Sequence, residues 1–462
     1  MYDLIIIGAG TAGISAYKEA RKHTNNLRII NDGAWDTTCA RVGCMPSKIL
    51  ISTANQLHDA HHADRVGLNL KIDADTSQVM QHVQTLRDRF TASVIKDVES
   101  WHPEHKTSGQ AKFINANTID VNGEQLQAKA FILAVGSSPN IDQDQKKILG
   151  DRLITTDEVF ELPYLPKRLA VIGSGVIAIE LAVAMHQLGV DVTVFARSRK
   201  VGILSSEHLQ TLAQAHFSQS VNILFETLPE SMSRDGDGVT IEYQDQQGQS
   251  QSIKVDYVLS ATGRSSLLST LDLHKVDAIF QDIKKLPINH DSKQLGDYPL
   301  FVVGDAFSQN PIQHVAAFTG KHVVQNALNY PDIQALPKLS PLAIIFSNPQ
   351  MAIAGQSKKE LEQQHIDFVT GIQSFEKQGR ALTLGKNVGA IEVYIEKSSQ
   401  RLLGAELFVE SAEHLAHMLS WMIAEQVTLA DILDRPYYHP TLEEGLRSAL
   451  KHARRQLRAD SE

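Results

Sequence analysis

The chain has 462 residues, of which 42% are hydrophobic and 21% charged, with 28 Gly and 15 Pro. That is the mix of a folded globular protein, not of a disordered, collagenous or disulfide-scaffold chain, and at about 100–200 residues per domain it predicts two to four domains. A net charge of −9, from 53 acidic and 44 basic residues, excludes a general affinity for nucleic acid or anionic membrane, and no stretch approaches the roughly 20 apolar residues of a membrane span.

In chain order, Leu4 to Ile7 reads as a buried strand, followed by Gly8-Ala9-Gly10-Thr11-Ala12-Gly13, a helix through Lys22 and a second strand from Leu27 to Ile30. This is a βαβ opening that carries a dinucleotide fingerprint in its required setting. Met1-Tyr2-Asp3 enters the first strand directly, so no signal peptide is expected. Next comes Thr37-Thr38-Cys39-Ala40-Arg41-Val42-Gly43-Cys44-Met45-Pro46-Ser47-Lys48, which holds both cysteines of the chain. Two cysteines make no disulfide framework and point to a reducing cytoplasm. An extended segment holds them about 16 Å apart, and a regular helix also leaves them too far apart to bridge. A disulfide needs a tightened turn at a helix entrance, for which Gly43 and Pro46 are suited. Inert buried cysteines or half of a zinc site are the other readings, although no His lies in the segment.

Phe131 to Gly136 is a further strand ending in glycine. A second βαβ follows, with a strand Arg168 to Ile172, the turn Gly173-Ser174-Gly175-Val176-Ile177-Ala178, a helix to about Gln187 and a strand Asp191 to Ala196. The two fingerprints lie 165 residues apart, which points to two dinucleotides on one chain. Asp235 to Gln251 reads as turns between polar strands, and Val258 to Arg264 closes the second nucleotide unit. From Pro337 onward no fingerprint appears, and strands such as Ile391 to Ile395 with a helix near Glu413 to Glu425 predict a separate α+β domain. Near the end, Tyr437-Tyr438-His439-Pro440-Thr441-Leu442-Glu443-Glu444 places a carboxylate five residues after a His, spacing that lets the carboxylate orient the ring. Alone, that segment reads rather as a capped helix start with an ordinary surface imidazole. His58 to Asp64 is expected to be a solvated helix end and not a metal site. The basic run Arg447 to Arg458 is expected to complement the dipole of a final helix.

Taken together, these segments resemble the flavoprotein disulfide reductases over essentially the whole chain. The resemblance rests on Gly8, Gly10 and Gly13, the pair Cys39 and Cys44 before Pro46-Ser47-Lys48, and Gly173, Gly175 and Ala178. It continues through Ala261-Thr262-Gly263, Leu300 to Asp305, Phe346-Ser347-Asn348-Pro349 and His439-Pro440-Thr441. It implies an α/β fold of two Rossmann-like dinucleotide-binding domains plus a C-terminal α+β dimerisation domain. The implied segments are 1–150 (FAD, first part), 151–265 (NAD(P)), 266–336 (FAD or central, second part) and 337–462 (interface).

The resemblance also implies the roles. Gly8, Gly10, Gly13, Gly136, Gly304, Asp305 and Ala316 would hold FAD, with either Asn31 or Asp32 at the adenosine ribose, where the family usually has an acid. Gly173, Gly175, Ala178 and Gly263 would hold NAD(P). Arg197 and Arg199, in a strand end without an acid, favour NADP over NAD. Cys39, expected to be the more exposed, would be the interchange thiol and Cys44 the thiolate beside the flavin, with Lys48 paired to Glu180. His314 matches a position beside the flavin, for which packing and function are equal readings. His439, oriented by Glu444 and followed by a cis peptide, would come from the partner subunit of a homodimer. No metal is implied. Ser47 points away from glutathione and the absence of a terminal cysteine pair away from mercury, so the dihydrolipoyl dehydrogenase branch is the nearest. Its partner would be a lipoyl domain on another protein or another small dithiol or disulfide. The alternatives are an NADPH-dependent disulfide reductase related to mercuric or glutathione reductase, or a redox-inactive flavin-binding component.

Overall fold

The computed structural model describes residues 1–307 and 311–459. The last three residues, to which the expectation about terminal cysteines extends, lie outside that range. The chain divides into two compact units, one of Met1–Pro46, His82–Asn140 and Gly263–Lys338, the other of Ser47–Gln81, Ile141–Thr262 and Leu339–Glu462.

In the first unit, β1 (Tyr2–Ile7), α1 (Thr11–Ala20) and β2 (Leu27–Asn31) form the expected βαβ. β1 pairs in parallel with β2 on one side and with the strand Glu124–Leu133 on the other. Lys106–Ser108 extends the sheet beyond β2, and Leu300–Val302 pairs with Glu124–Leu133. Leu4 and Ile6 enter one hydrophobic core and Ile5 and Ile7 another. A strand buried on both faces is apolar at every position, which is why this one reads as a continuous run. α1 packs on the helix Gln313–Asn329. The two backbones touch at Gly320, where a Cβ would stand 2.2 Å from the carbonyl oxygen of Ala12.

The second unit holds the second nucleotide fold. Its parallel sheet runs Asn222–Phe225, Asp191–Ala196, Arg168–Ile172, Tyr257–Ser260, Leu153–Ile154. The helix Val176–Gln187 follows the glycine turn. The polar stretch around Asp235 is an antiparallel sheet of Ser231–Asp235, Gly238–Gln244 and Ser250–Val255. Its middle strand buries Val239, Ile241 and Tyr243 on one face. A five-stranded antiparallel sheet then runs Leu342–Ile345, Gln350–Gly355, Leu402–Val409, Ala390–Glu396, Phe368–Ser374, and the final helix Glu443–Ala459 packs on it.

Residues 47–81 group with the second unit, whereas the sequence expectation kept them in an unbroken 1–150. The reason is local. Asp59 forms an ion pair with Lys386, and Arg65 and Val66 lie against Gly385. His58 is half-buried and stacks on His62 with ring centroids 4.1 Å apart, and burial holds its imidazole down to about 4. That helix end is therefore packed and not merely solvated. Among the described residues no group of three or more His, Cys, Asp or Glu side chains is placed to hold a metal ion, and no helix is long and apolar enough to cross a membrane.

The contact at Gly320 is a stringent test of the first unit. Gly320→Ala is expected to cost about 1–3 kcal/mol through overpacking, measured by urea denaturation. A loss below about 0.5 kcal/mol, the level of a neutral surface change, would contradict the close approach.

Candidate active site

The first glycine turn is a backbone crossing with no room for side chains. Gly8 lies at φ +104°, and a Cβ on Gly13 would stand 1.8 Å from the Gly8 oxygen. Gly10 caps α1 without a side-chain hydrogen bond and faces open space. The first-turn N–H groups of α1 are thus open to an anion, and a dinucleotide pyrophosphate such as that of FAD would fit there. Asn31 is occupied elsewhere. Its Oδ1 accepts the Ala9 N–H at 2.9 Å, and its Nδ2 donates to the oxygens of Gly33 and Ala34 at 3.2 and 2.7 Å. The exposed carboxylate at that strand end is Asp32.

Across the same unit, Asp305 follows Gly304 in a single turn, and Ala316 is buried beside Gly304. Burial pushes the Asp305 carboxyl above the ordinary aspartate range, opposed by the Arg264 charge and a long bond from the Ser137 hydroxyl at 3.4 Å. Arg264 in turn donates to the Ser137 hydroxyl at 2.9 Å and carbonyl at 2.7 Å. Gly136, at φ +73°, accepts from the Leu267 amide at 3.0 Å. His314 is half-buried on the first turn of its helix.

The two cysteines lie on consecutive helical segments. Thr37 caps the one-turn helix α2 (Thr38–Arg41), accepting from Ala40, and Cys44 opens α3 (Cys44–His61). At Gly43 a Cβ would stand 3.1 Å from the Thr38 oxygen and 3.2 Å from the Cys39 Cα, so the chain turns tightly between the two cysteines. In the chain without a cofactor Cys39 is half-buried and Cys44 exposed; the expected order of exposure is that of a chain with flavin lying against Cys44. Arg41 pairs with the buried Asp36 at 3.2 Å.

One helical turn into α3, Lys48 Nζ donates to both oxygens of Glu180, at 3.1 and 2.9 Å. Glu180 is only 5% exposed, and its Oε1 also accepts the Phe346 amide at 2.9 Å. The Lys48 ammonium stands 4.6 Å from the centre of the Phe346 ring. The sequence pointed to the pair but not to Phe346 as its third member, since a backbone donor leaves no mark on residue type.

The second glycine turn repeats the first. Gly173 lies at φ +119°, with a Cβ position 2.5 Å from the Ala261 oxygen, and Gly175 is an open N-cap. Ala178 is fully buried behind it. Gly263 falls in the first unit, where its oxygen accepts from Asn140 at 2.9 Å. After the strand Asp191–Ala196, residues 197–200 are all exposed. Arg199 reaches Glu226 at 3.5 Å. Arg197 has no ion pair with a carboxylate among the described residues.

His439 and Glu444 meet as expected. Nδ1 lies 3.1 Å from each Glu444 oxygen, and because a carboxylate only accepts, Nδ1 donates, which in a neutral ring makes Nε2 the acceptor. The ring remains 80% exposed. The His439 ring and the Thr441 amide hold the Glu444 carboxyl below the ordinary glutamate range. Gln378 fixes the turn from behind by donating to the Thr441 oxygen at 2.7 Å, and the His439–Pro440 peptide is cis.

Two open glycine turns, a cysteine pair at a helix start and a His–carboxylate dyad are the groups that a dinucleotide-using oxidoreductase of the dithiol–disulfide class needs. The chain belongs to the pyridine nucleotide-disulphide oxidoreductase family, whose model matches residues 2–320, while the family's dimerisation domain matches 342–450. Membership implies FAD and a pyridine nucleotide as cofactors, and the dimerisation domain supports a homodimer. The mercuric reductase of Staphylococcus aureus is 28% identical over 97% of this chain and 82% of its own. The dihydrolipoyl dehydrogenase of Halobacterium salinarum is 26% identical over 98% of this chain and 96% of its own. The fold is shared with LpdA from Mycobacterium tuberculosis, at a TM-score of 0.81 and 19% identity, covering 99% of this chain and 100% of that one. It is shared too with the HOCl-induced flavoprotein disulfide reductase RclA from Escherichia coli, at 0.79 and 17%, covering 97% and 99%.

Two expectations follow from this geometry. Lys48→Met strands the buried Glu180 carboxylate and is expected to cost about 3 kcal/mol. Glu180→Met leaves a lysine that is 31% exposed and able to reach water, and should cost less, about 1–2 kcal/mol. Chemical denaturation of the two variants measures the order, and a reversal would refute the reading of the pair. For Asp305, a carboxyl raised by burial contributes stability that is present at acid pH and lost as pH rises through its folded value. Asp305→Asn should therefore raise the melting temperature of the flavin-free protein at pH 7, with the gain shrinking toward pH 4. A variant melting below wild type at both pH values would contradict this.

Proposed function

We propose that the chain is an FAD-dependent enzyme of the dihydrolipoyl dehydrogenase type, oxidising a lipoyl-like dithiol through a Cys39–Cys44 disulfide, with NADP(H) favoured over NAD(H). The observation that carries this reading is the His439–Glu444 dyad. An imidazole fixed at Nδ1 and open to solvent at Nε2 is a general base positioned for an incoming thiol.

In this reading His439, supplied by the partner subunit, takes the proton of one substrate thiol. The thiolate attacks the Cys39 sulfur and breaks the Cys39–Cys44 bond, leaving Cys44 as thiolate. The second substrate sulfur then displaces Cys39, which departs as a thiol, and the substrate leaves as a cyclic disulfide. The amino terminus of α3 favours the Cys44 thiolate, and Glu444 balances the charge that His439 acquires. Bound FAD supplies a two-electron acceptor that exchanges hydride with the nicotinamide. Gly8, Gly10 and Gly13 would hold its pyrophosphate, Asp305 its ribityl region and Asp32 its adenosine ribose. Gly173, Gly175 and Arg197 would hold the pyridine nucleotide. The lipoyl group would arrive on another protein or as a free small molecule, in a cytoplasmic setting.

A second reading, an NADPH-dependent disulfide reductase, is favoured by one feature. The strand end at Ala196 has no acid to bind a ribose 2′-hydroxyl, and the exposed Arg197 beside it is suited to a 2′-phosphate.

Anaerobic addition of dihydrolipoamide to the wild type is expected to raise a long-wavelength absorbance by freeing the Cys44 thiolate; Cys39→Ser should show that band without added dithiol, and Cys44→Ser should lack it. Turnover with dihydrolipoamide should exceed that with glutathione or mercuric ion. A spectrum indifferent to dithiol would sink the redox assignment, and faster turnover of glutathione disulfide would favour the second reading. For the coenzyme, Arg197→Glu should lower kcat/KM with NADPH by about tenfold or more, roughly 1.4 kcal/mol, and leave NADH little changed. A wild type preferring NADH by that factor would defeat the coenzyme assignment.

A further inference from the structure

Away from the thiol chemistry, two carboxylates lie buried side by side in the five-stranded sheet. Glu406 is 0% exposed and Glu392 1%, and they face each other across neighbouring strands. A buried carboxylate persists only where donors answer it. Glu392 is answered by Nδ1 of His208 at 2.9 Å and the Tyr394 hydroxyl at 3.2 Å. Glu406 accepts the amides of Ser205 at 2.6 Å, Ser206 at 3.0 Å and Lys358 at 3.0 Å, together with the Ser205 hydroxyl. Three of its four donors thus come from one place, the end of the loop that begins at Arg197.

That loop is held along its length. Gln210, almost wholly buried, accepts the Val201 amide at 2.9 Å and donates to the oxygens of Val201 and Leu204, each at 2.8 Å. The Lys200 oxygen accepts the hydroxyl of Ser174 at 2.7 Å, and the Ser174 oxygen accepts the Gly202 amide at 2.8 Å. Ser174 is itself part of the second glycine turn. Residues 201–206 are therefore clamped, and residues 197–200 are the exposed part between a strand end and the clamp. Apolar packing alone could bury this segment. A carboxylate and an amide bonded to its backbone fix its path as well, since hydrogen bonds are directional where dispersion is not.

We infer that Glu406 and Gln210 are positioning residues for coenzyme selection, holding the loop so that Arg197 is presented to the 2′-phosphate of NADP(H). The inference rests on the coenzyme assignment above and adds to it a structural support in the dimerisation sheet.

Adenosine 2′,5′-bisphosphate and adenosine 5′-monophosphate, titrated calorimetrically into purified holoprotein, separate 2′-phosphate binding from turnover. In Glu406→Gln, whose amide group would confront backbone donors, affinity for the bisphosphate should fall about tenfold while the monophosphate is unchanged. KM for NADPH should rise in parallel at constant kcat, with the dithiol-induced absorbance intact. Gln210→Leu releases the same loop from the other side and should give the same split, which guards against a folding defect of the first variant. Equal losses for both nucleotides, or no change in either variant, would overturn the inference. A wild type that binds the two nucleotides equally would instead defeat the coenzyme assignment itself.

Discussion

The three hydrogen bonds on Glu180, from two donor groups, set the constraint on which the proposed redox centre depends. A carboxylate with almost no access to water is costly unless every donor is in place. Here the donors come from the start of α3 and from the Phe346 amide, while Glu180 itself lies on the helix of the second glycine turn. Lys48 is four residues after Cys44, one turn along the same helix face. Holding Lys48 therefore ties the first turns of α3 to the helix of the second glycine turn.

Much of this was legible in the sequence because the chemistry restricts residue type. The crossings at Gly8 with Gly13 and at Gly173 with Ala261 leave no room for a Cβ, so the backbone demand appears as glycine. Both strand–turn–helix units lie where the hydrophobic runs place them. The cysteine spacing implied a turn at a helix entrance, and the chain turns tightly at Gly43. His439 and Glu444 were readable as a pair because the partners are close in the chain.

Other features depend on the folded path of the chain, which residue type does not record. Asn31 stood in the position of an expected acid, but its hydrogen bonds are taken up by Ala9, Gly33 and Ala34 through the local path of the loop. Glu392 and Glu406 sit in strands whose alternation gives no sign that these acids are interior, and the partners of Glu406 at Ser205 and Ser206 lie about 200 residues away. The grouping of residues 47–81 with the second unit depends on Lys386 and Gly385 in the same way.

Family membership fixes the chemistry more firmly than the substrate, because mercuric reductase and dihydrolipoyl dehydrogenase relatives stand at similar distance from this chain. The central claim is that Cys39, Cys44 and the His439–Glu444 dyad act as one thiol-exchange site assembled in a homodimer. Its most direct test is subunit exchange between two inactive proteins, Cys39→Ser and His439→Ala. Mixed dimers should regain up to about half the wild-type activity, since pairing the two variants leaves one of two sites intact. Verified mixed dimers without recovered activity would contradict the account.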